Sequence, residues 1–449
     1  MAKESYFSRR IDGELLAWSK EANRKVLLLR GARQVGKSSA VRNLGKTFKH
    51  YVEINFEDAD EQVKDLFKPG VSPQEICMKL SVLTLTPIVP NETLLFLDEI
   101  QACVPAISKL RYFYEQYPEL HVIAAGSLLE FALAELPSFG VGRIRSLFVY
   151  PFSFEEFLMA SGKAPWVQEI REASPQHPIF EGLHSQLLNQ LRTFHLIGGM
   201  PAVVAEFVDS QDLLRCQNVL NDILVSFYND FAKYKKRVPA IRIKEVFESV
   251  VKQAEGKFVY ERAAVESSNR QVKDALELLI MAGLVYPVTH TAANGIPLGA
   301  EINPKIQRMF LFDTGLFQRM LGLDVSDILL SNDFKSINRG ALAEIFVALE
   351  IVKASSCYAP ANLYYWQREK SQSMAQIDFL IQKHDQIIPI EVKSGTQGAM
   401  QSLRLFMKEK EITKGIRTSL ENFAQQGNIE VIPMYAVSNL FPISLTINN

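Results

Sequence analysis

Three absences narrow what this chain can be. Its 449 residues contain no run of about 18 apolar residues, so no segment reads as a membrane-spanning helix. The first residues, MAKESYFSRRIDGELL, lack an apolar signal core, and the expectation is a cytoplasmic protein of bacterial type with no membrane partner. Cysteine is scarce: Cys77, Cys103, Cys216 and Cys357 are scattered without a CxxC pair, which argues against a zinc site or a disulfide framework. The seven histidines are dispersed as well, with none at metal-ligand spacing. Charge of one sign is also missing. The formal net charge is −1, so no global basic field advertises nucleic acid, and any such surface has to be local.

What remains is an ordinary globular composition, 47% hydrophobic and 22% charged, with no internal repeat and no low-complexity linker. The length suggests about three domains. From 25 to 150, short oily runs alternate with segments of helical periodicity. KVLLLR, YVEINF, TLLFLDEI and HVIAAGS are near-continuous apolar runs of strand length, as parallel strands covered on both faces require. The intervening SPQEICMKLSVLTL and AISKLRYFYEQYP carry apolar residues at helical spacing. The pattern predicts an α/β domain with a doubly wound parallel sheet over 1–159.

The break between the first strand and its helix reads Gly31-Ala32-Arg33-Gln34-Val35-Gly36-Lys37-Ser38, which fits GxxxxGK[ST]. Glycines let backbone N–H groups turn inward around an anion, and the helix start adds partial positive charge. Lys37 would reach the β- and γ-phosphates, the Ser38 hydroxyl would hold Mg²⁺, and Ser39 continues the loop into the helix. The strand TLLFLDE ends on two carboxylates. Asp98 is placed to hold the metal through water, and Glu99 to orient and deprotonate an attacking water. At the end of HVIAAGS, Ser127 stands where it could sense a γ-phosphate.

These elements together resemble an AAA-type P-loop ATPase of the ASCE division. More narrowly, the chain resembles a bacterial and archaeal family of such ATPases with an uncharacterised C-terminal domain. Gly142-Arg143, the Pro151–Phe157 stretch PFSFEEF and the loop GGMP match elements of that family. The resemblance implies ATP as the nucleotide, and the absent N-K-x-D base-reading motif of GTPases agrees. Arg143 and Arg145 are candidate arginine fingers; solvated or salt-bridged arginines are the equal alternative.

Past 160 the pattern becomes helical to about 238. From 239 to 325, three helical segments followed by two strands outline a winged helix. Strands return in 326–449. There Asp378 lies in one strand, and Glu391 and Lys393 project from one face of the next. The resemblance implies a PD-(D/E)xK nuclease-like, restriction-endonuclease-like α/β fold, with Glu344, Asp378 and Glu391 around a divalent metal and Lys393 beside them. Gln376 stands where the family usually has glutamate, and the motif's proline is missing, which puts cleavage in doubt. Lys233–Arg237 is the densest basic patch, and Ser268, Asn269, Arg270, Gln271 and Lys273 form a polar helix start of the kind that enters a major groove.

Three functions stay open: an ATP-driven switch acting on DNA or a protein partner, an ATP-regulated nuclease serving in defence, and a non-enzymatic signalling scaffold. Oligomerisation is compatible with all three.

Overall fold

An oily run with no polar face has to be covered on both sides, and Val26–Arg30 meets that demand as β1, at the interior of a five-stranded sheet. In the computed structural model, the described residues are 6–127, 129–135, 142–234, 238–264, 267–323, 339–368, 375–395 and 400–441. The chain divides into two units, one of Met1–Pro151 with Ser356–Pro360, the other of Phe152–Ser355 with Ala361–Asn449. The first break falls at 151/152.

In the first unit, α1 (Arg10–Ser19) precedes β1. Then follow α2 (Lys37–Gly45), β2 (His50–Asn55), α3 (Glu61–Asp65), α4 (Pro73–Thr84) and β3 (Thr93–Asp98). The remainder is α5 (Val104–Gln116), β4 (His121–Ala125), α6 (Leu129–Glu135) and β5 (Ile144–Phe148). The strand order is β2-β3-β4-β1-β5 and every pairing is parallel. Leu27, Leu28 and Leu29 are fully buried, each contributing about 1.5–3 kcal/mol of hydrophobic stabilisation. Helix α4 starts as its sequence dictates: Ser72 accepts the N–H of Glu75 at 3.2 Å and Pro73 occupies the first turn. Parallel pairing brings the carboxyl ends of β1, β3 and β4 to one edge, where open α/β sheets hold their ligands.

The second unit opens with α7 (Phe154–Ala160), α8 (Ala164–Glu172), α9 (Glu181–Ile197), α10 (Pro201–Ser210) and α11 (Leu213–Asp230). Ser153 and Glu156 cap α7 reciprocally, which accounts for the SFEE part of its motif. The GGMP break between α9 and α10 is a close backbone approach. Gly198 has φ +70°, and a Cβ there would meet Asp313 Oδ1 at 2.1 Å. Asp313 accepts the Gly199 N–H at 2.7 Å and the Leu316 N–H at 3.0 Å.

Next come α12 (Ala240–Lys252), α13 (Asn269–Met281), β6 (Val285–Thr291), β7 (Ile302–Leu311), α14 (Thr314–Met320) and α15 (Arg339–Ala354). The chain ends with β8 (Leu363–Gln367), β9 (Gln376–Lys383), β10 (Gln386–Val392), α16 (Gln401–Glu409), β11 (Gly415–Ser419), β12 (Ala424–Gln426) and β13 (Ile429–Pro433). All eight strands form one mixed sheet, in the order β12-β13-β11-β10-β9-β8-β6-β7.

Two features differ from the sequence expectation. Among the described residues between α12 and α13 there is only a single 3₁₀ turn, Tyr260–Arg262, where a helix was expected. The expected wing is not a separate hairpin. Its strand β6 pairs with β7 on one side and in parallel with β8 on the other, so the sheet runs across the proposed 325/326 border. That border, and residues 235–237 of the basic stretch, lie outside the described residues. Among those described, no helix is long and apolar enough to cross a membrane.

Candidate functional site

The loop between β1 and α2 takes a path that only certain residues allow. Gly31 has φ +137°, and a Cβ there would sit 2.1 Å from the Val149 carbonyl oxygen. Gly36 caps α2 with φ +92°, and Gln34 adds a third left-handed residue at φ 65°. Ala32 and Val35 are buried, while Gln34 and Ser39 are exposed. Arg9, a buried residue the sequence reading passed over, braces the loop. Its guanidinium donates to the Val35 carbonyl at 3.2 Å and to the Tyr150 carbonyl at 2.8 Å.

Lys37 folds back over this loop. Its Nζ donates to the carbonyls of Gly31 at 2.9 Å and Ala32 at 2.8 Å. Burial disfavours its charge and lowers its pKa to about 8, against the opposing pull of Glu99 and Asp98. Beside it the Ser38 hydroxyl donates to Asp98 Oδ2 at 2.7 Å, and burial raises the Asp98 carboxyl above the ordinary range. Glu99 has φ 46°, left-handed backbone that a side chain rarely adopts. Its Oε2 accepts from Gln101 Nε2 at 2.6 Å, from the Ser127 hydroxyl at 3.2 Å and from the Ser127 N–H at 3.3 Å. Lysine, serine, both acids and Ser127 are thus gathered at one sheet edge.

The donor set fits a nucleotide polyphosphate. The cradle at Gly31 is one that any Cβ would fill, the helix start supplies free N–H groups, and the Ser38–Asp98 pair offers a hydroxyl and a carboxylate to Mg²⁺. Residues 23–158 match the family model described as an AAA domain. The first unit carries an AAA domain of the P-loop type. Residues 188–327 and 339–437 match two further family models, each described as a domain of unknown function. No curated protein matches the chain.

Among solved structures, the Walker-type ATPase of Pyrococcus abyssi is similar at 16% identity and a TM-score of 0.47, over 71% of this chain and 97% of that one. The Aeropyrum pernix ORC1 protein in complex with DNA gives 15% and 0.28, over 72% and 93%. Drosophila ORC bound to DNA gives 14% and 0.27, over 71% and 88%. At these TM-scores the likenesses carry no conclusion about this chain.

The two finger candidates lie elsewhere on the AAA domain. Arg145 is on β5 opposite Leu27, towards the amino end of the parallel sheet and away from the loop. It pairs with Glu21 at 2.5 Å and lies over the Tyr358 ring. Arg143 pairs with Glu115 at 3.0 Å. In this arrangement neither reaches the site of its own chain.

In the second unit, Asp378 on β9 and Glu391 on β10 are buried together, with Glu344 on α15 close enough to feel both charges. Burial pushes the carboxyls of Glu344 and Glu391 up to about 7, and the charge of Asp378 adds to the rise. Asp378 Oδ2 accepts the Val392 N–H at 2.8 Å, and Lys393 Nζ donates to Glu391 Oε1 at 2.6 Å. Glu344 is ion-paired to Arg308 of β7, a residue not anticipated from sequence.

The expected metal set is not assembled. Among the described residues, no group of three or more His, Cys, Asp or Glu could hold a metal ion. Two of the three acids are ion-paired, Glu344 to Arg308 and Glu391 to Lys393.

The polar start of α13 has local duties as well. Ser268 and Gln271 cap each other's backbone, Asn269 donates to Glu261 at 2.8 Å, and Lys273 pairs with Glu277 at 3.6 Å.

Proposed function

We propose that the chain is a molecular switch that binds ATP with Mg²⁺, hydrolyses it, and couples the nucleotide state to DNA or partner binding by its second unit. The observation that carries the reading is the single sheet edge where Lys37, Ser38, Asp98, Glu99 and Ser127 meet. In the bound state Lys37 exchanges its two carbonyl partners for phosphate oxygens. Ser38 and Asp98 would hold the Mg²⁺, which would supply positive charge against the phosphates. Ser127 turns its hydroxyl towards the terminal phosphate, and Glu99, still oriented by Gln101, takes a proton from the attacking water. Arg143 or Arg145 serves a neighbouring subunit as its finger once its carboxylate partner is displaced.

Two contacts link the loop to the chain that leaves the AAA domain. Gly31 packs on the Val149 carbonyl, and Arg9 bonds both Val35 and Tyr150. A loop that reshapes around phosphate therefore pulls on residues 149–151, from which the chain enters the helical region (160–238) and the winged-helix-like part (239–325). For the 326–449 region, the paired charges around Asp378 and Glu391 favour a binding role over cleavage. Titration of the purified chain with ATP and Mg²⁺ tests the reading. Binding that is lost in Lys37→Ala supports it; equal binding by both proteins contradicts it.

A further inference from the structure

The carboxylate cluster of the second unit holds an unusual cation. Arg308 belongs to β7, separated from β9 by two intervening strands and outside the segment that supplies the acids, yet it is 2% exposed and ion-paired to Glu344. Residues 188–327 and 339–437 match separate families, so cation and carboxylates come from different modules of the chain.

Three acids stand here, Glu344, Asp378 and Glu391. Against them stand Arg308 and Lys393; Arg417, beside Glu391 in the β10–β11 pairing, is itself ion-paired to Glu421 at 3.1 Å. Glu344 and Glu391 thus each already hold a cation. A divalent ion entering the cluster would have to displace a cation from a buried carboxylate. Lys393, with 28% of its side chain exposed, can swing into solvent, whereas Arg308 cannot leave without unpacking the strand that bears it. Its Nε and Nη1 have no hydrogen-bond partner among the described residues, and Glu391 Oε2 is likewise buried without one. The guanidinium thus faces the acids as a charge, with only part of its bonding capacity used.

We propose that Arg308 is the resident cation of this cluster and closes it to divalent metal, so that a site built like a nuclease centre serves as an internal salt-bridge core. The closure depends on one side chain delivered by β7. Replacing that side chain with an uncharged one of similar length converts the cluster into a metal site.

The test is Mn²⁺ titration of the full chain without nucleotide, by calorimetry and by loss of the free-ion paramagnetic signal. Wild type and Asp378→Asn are expected to give the same isotherm. Arg308→Met is expected to gain one site, at least tenfold tighter than any Mn²⁺ binding by wild type. Adding Asp378→Asn to that variant abolishes the gain, and Arg308→Lys, which keeps the charge, shows none. Circular dichroism establishes that each variant is folded. A wild-type Mn²⁺ site that disappears in Asp378→Asn overturns the proposal, as does a folded Arg308→Met protein with no added site. If Arg308→Met does not fold, the comparison of wild type with Asp378→Asn decides alone.

Discussion

Both units bury a basic side chain beside acids, and the two clusters behave as opposites. In the AAA domain the cation is held by neutral groups, since Lys37 bonds only carbonyls while Asp98 is satisfied by the Ser38 hydroxyl. Its charge is uncommitted and poorly solvated, a state that an incoming phosphate relieves. In the second unit the cations are tied directly to carboxylates, Arg308 to Glu344 and Lys393 to Glu391. That charge is spent within the fold. A buried charge resting on dipoles is ready for a ligand; one resting on an opposite charge holds structure.

The sharpest way to break this contrast is to remove each cation. Arg308→Met should leave Glu344 unpaired in the interior and destabilise the second unit by about 3–5 kcal/mol. Lys37→Met should cost no melting temperature, because only carbonyl contacts are lost and a desolvated charge disappears, yet it should weaken ATP binding on the order of 100-fold. Denaturant unfolding and ATP titration of the two variants read both effects. Equal destabilisation by both would erase the distinction.

Gly31→Ala should come next, at about 2–4 kcal/mol, because it combines a forbidden φ with a collision against the Val149 carbonyl. Unfolding followed by AAA-domain fluorescence measures it, and a neutral result would mean that the loop tolerates another path.

Mixing is a subtler probe. Arg143→Ala or Arg145→Ala protein combined with Lys37→Ala protein should recover part of the ATPase rate if one of these arginines acts across subunits. Activity strictly proportional to concentration, from a monomer in sedimentation, would remove both from the mechanism.

The smallest effects are in pH. Lys37, with its pKa near 8, regains the ordinary lysine range when phosphates surround it, so ATP binding takes up a proton above that pH. Affinity should therefore fall as pH rises past about 8, by at most tenfold per unit. The second unit runs the other way. Glu344 and Glu391 titrate near 7 in the fold but near 4.5 once unfolded, so the folded state holds more protons between those values. Stability should fall as pH rises from about 4.5 to about 7, and Glu391→Gln should flatten that slope. A slope unchanged by the substitution would remove Glu391 as its source.

How much of this could be read from sequence follows the range of the interactions. The strands β1, β3 and β4 were legible as near-continuous apolar runs and β2 by the alternating Val52, Ile54 and Phe56 of its run, and the loop because GxxxxGK is local. β5 was missed because an edge strand with four half-exposed residues out of five has no apolar run to show. Arg9 was missed because its partners are 26 and 141 residues away. Arg308 had a weak local signal, an arginine at the start of the oily MFLF, since a charge in such a strand needs a partner. What that partner was depended on the sheet continuing from the expected wing into the C-terminal strands, which no local pattern encodes. The strands that carry Asp378, Glu391 and Lys393 pair with one another, but their spacing cannot reveal Arg308, which comes from another part of the chain.

The central claim is that Glu99 is the base of an ATP-hydrolysing site in the AAA domain, and single-turnover release of phosphate from saturating ATP and Mg²⁺ tests it most directly. The wild-type chain should release phosphate, and Glu99→Gln should bind ATP with unchanged affinity while releasing phosphate about 10²–10⁴-fold more slowly. Release at the wild-type rate by Glu99→Gln, or no release by the wild type with ATP bound, would contradict it.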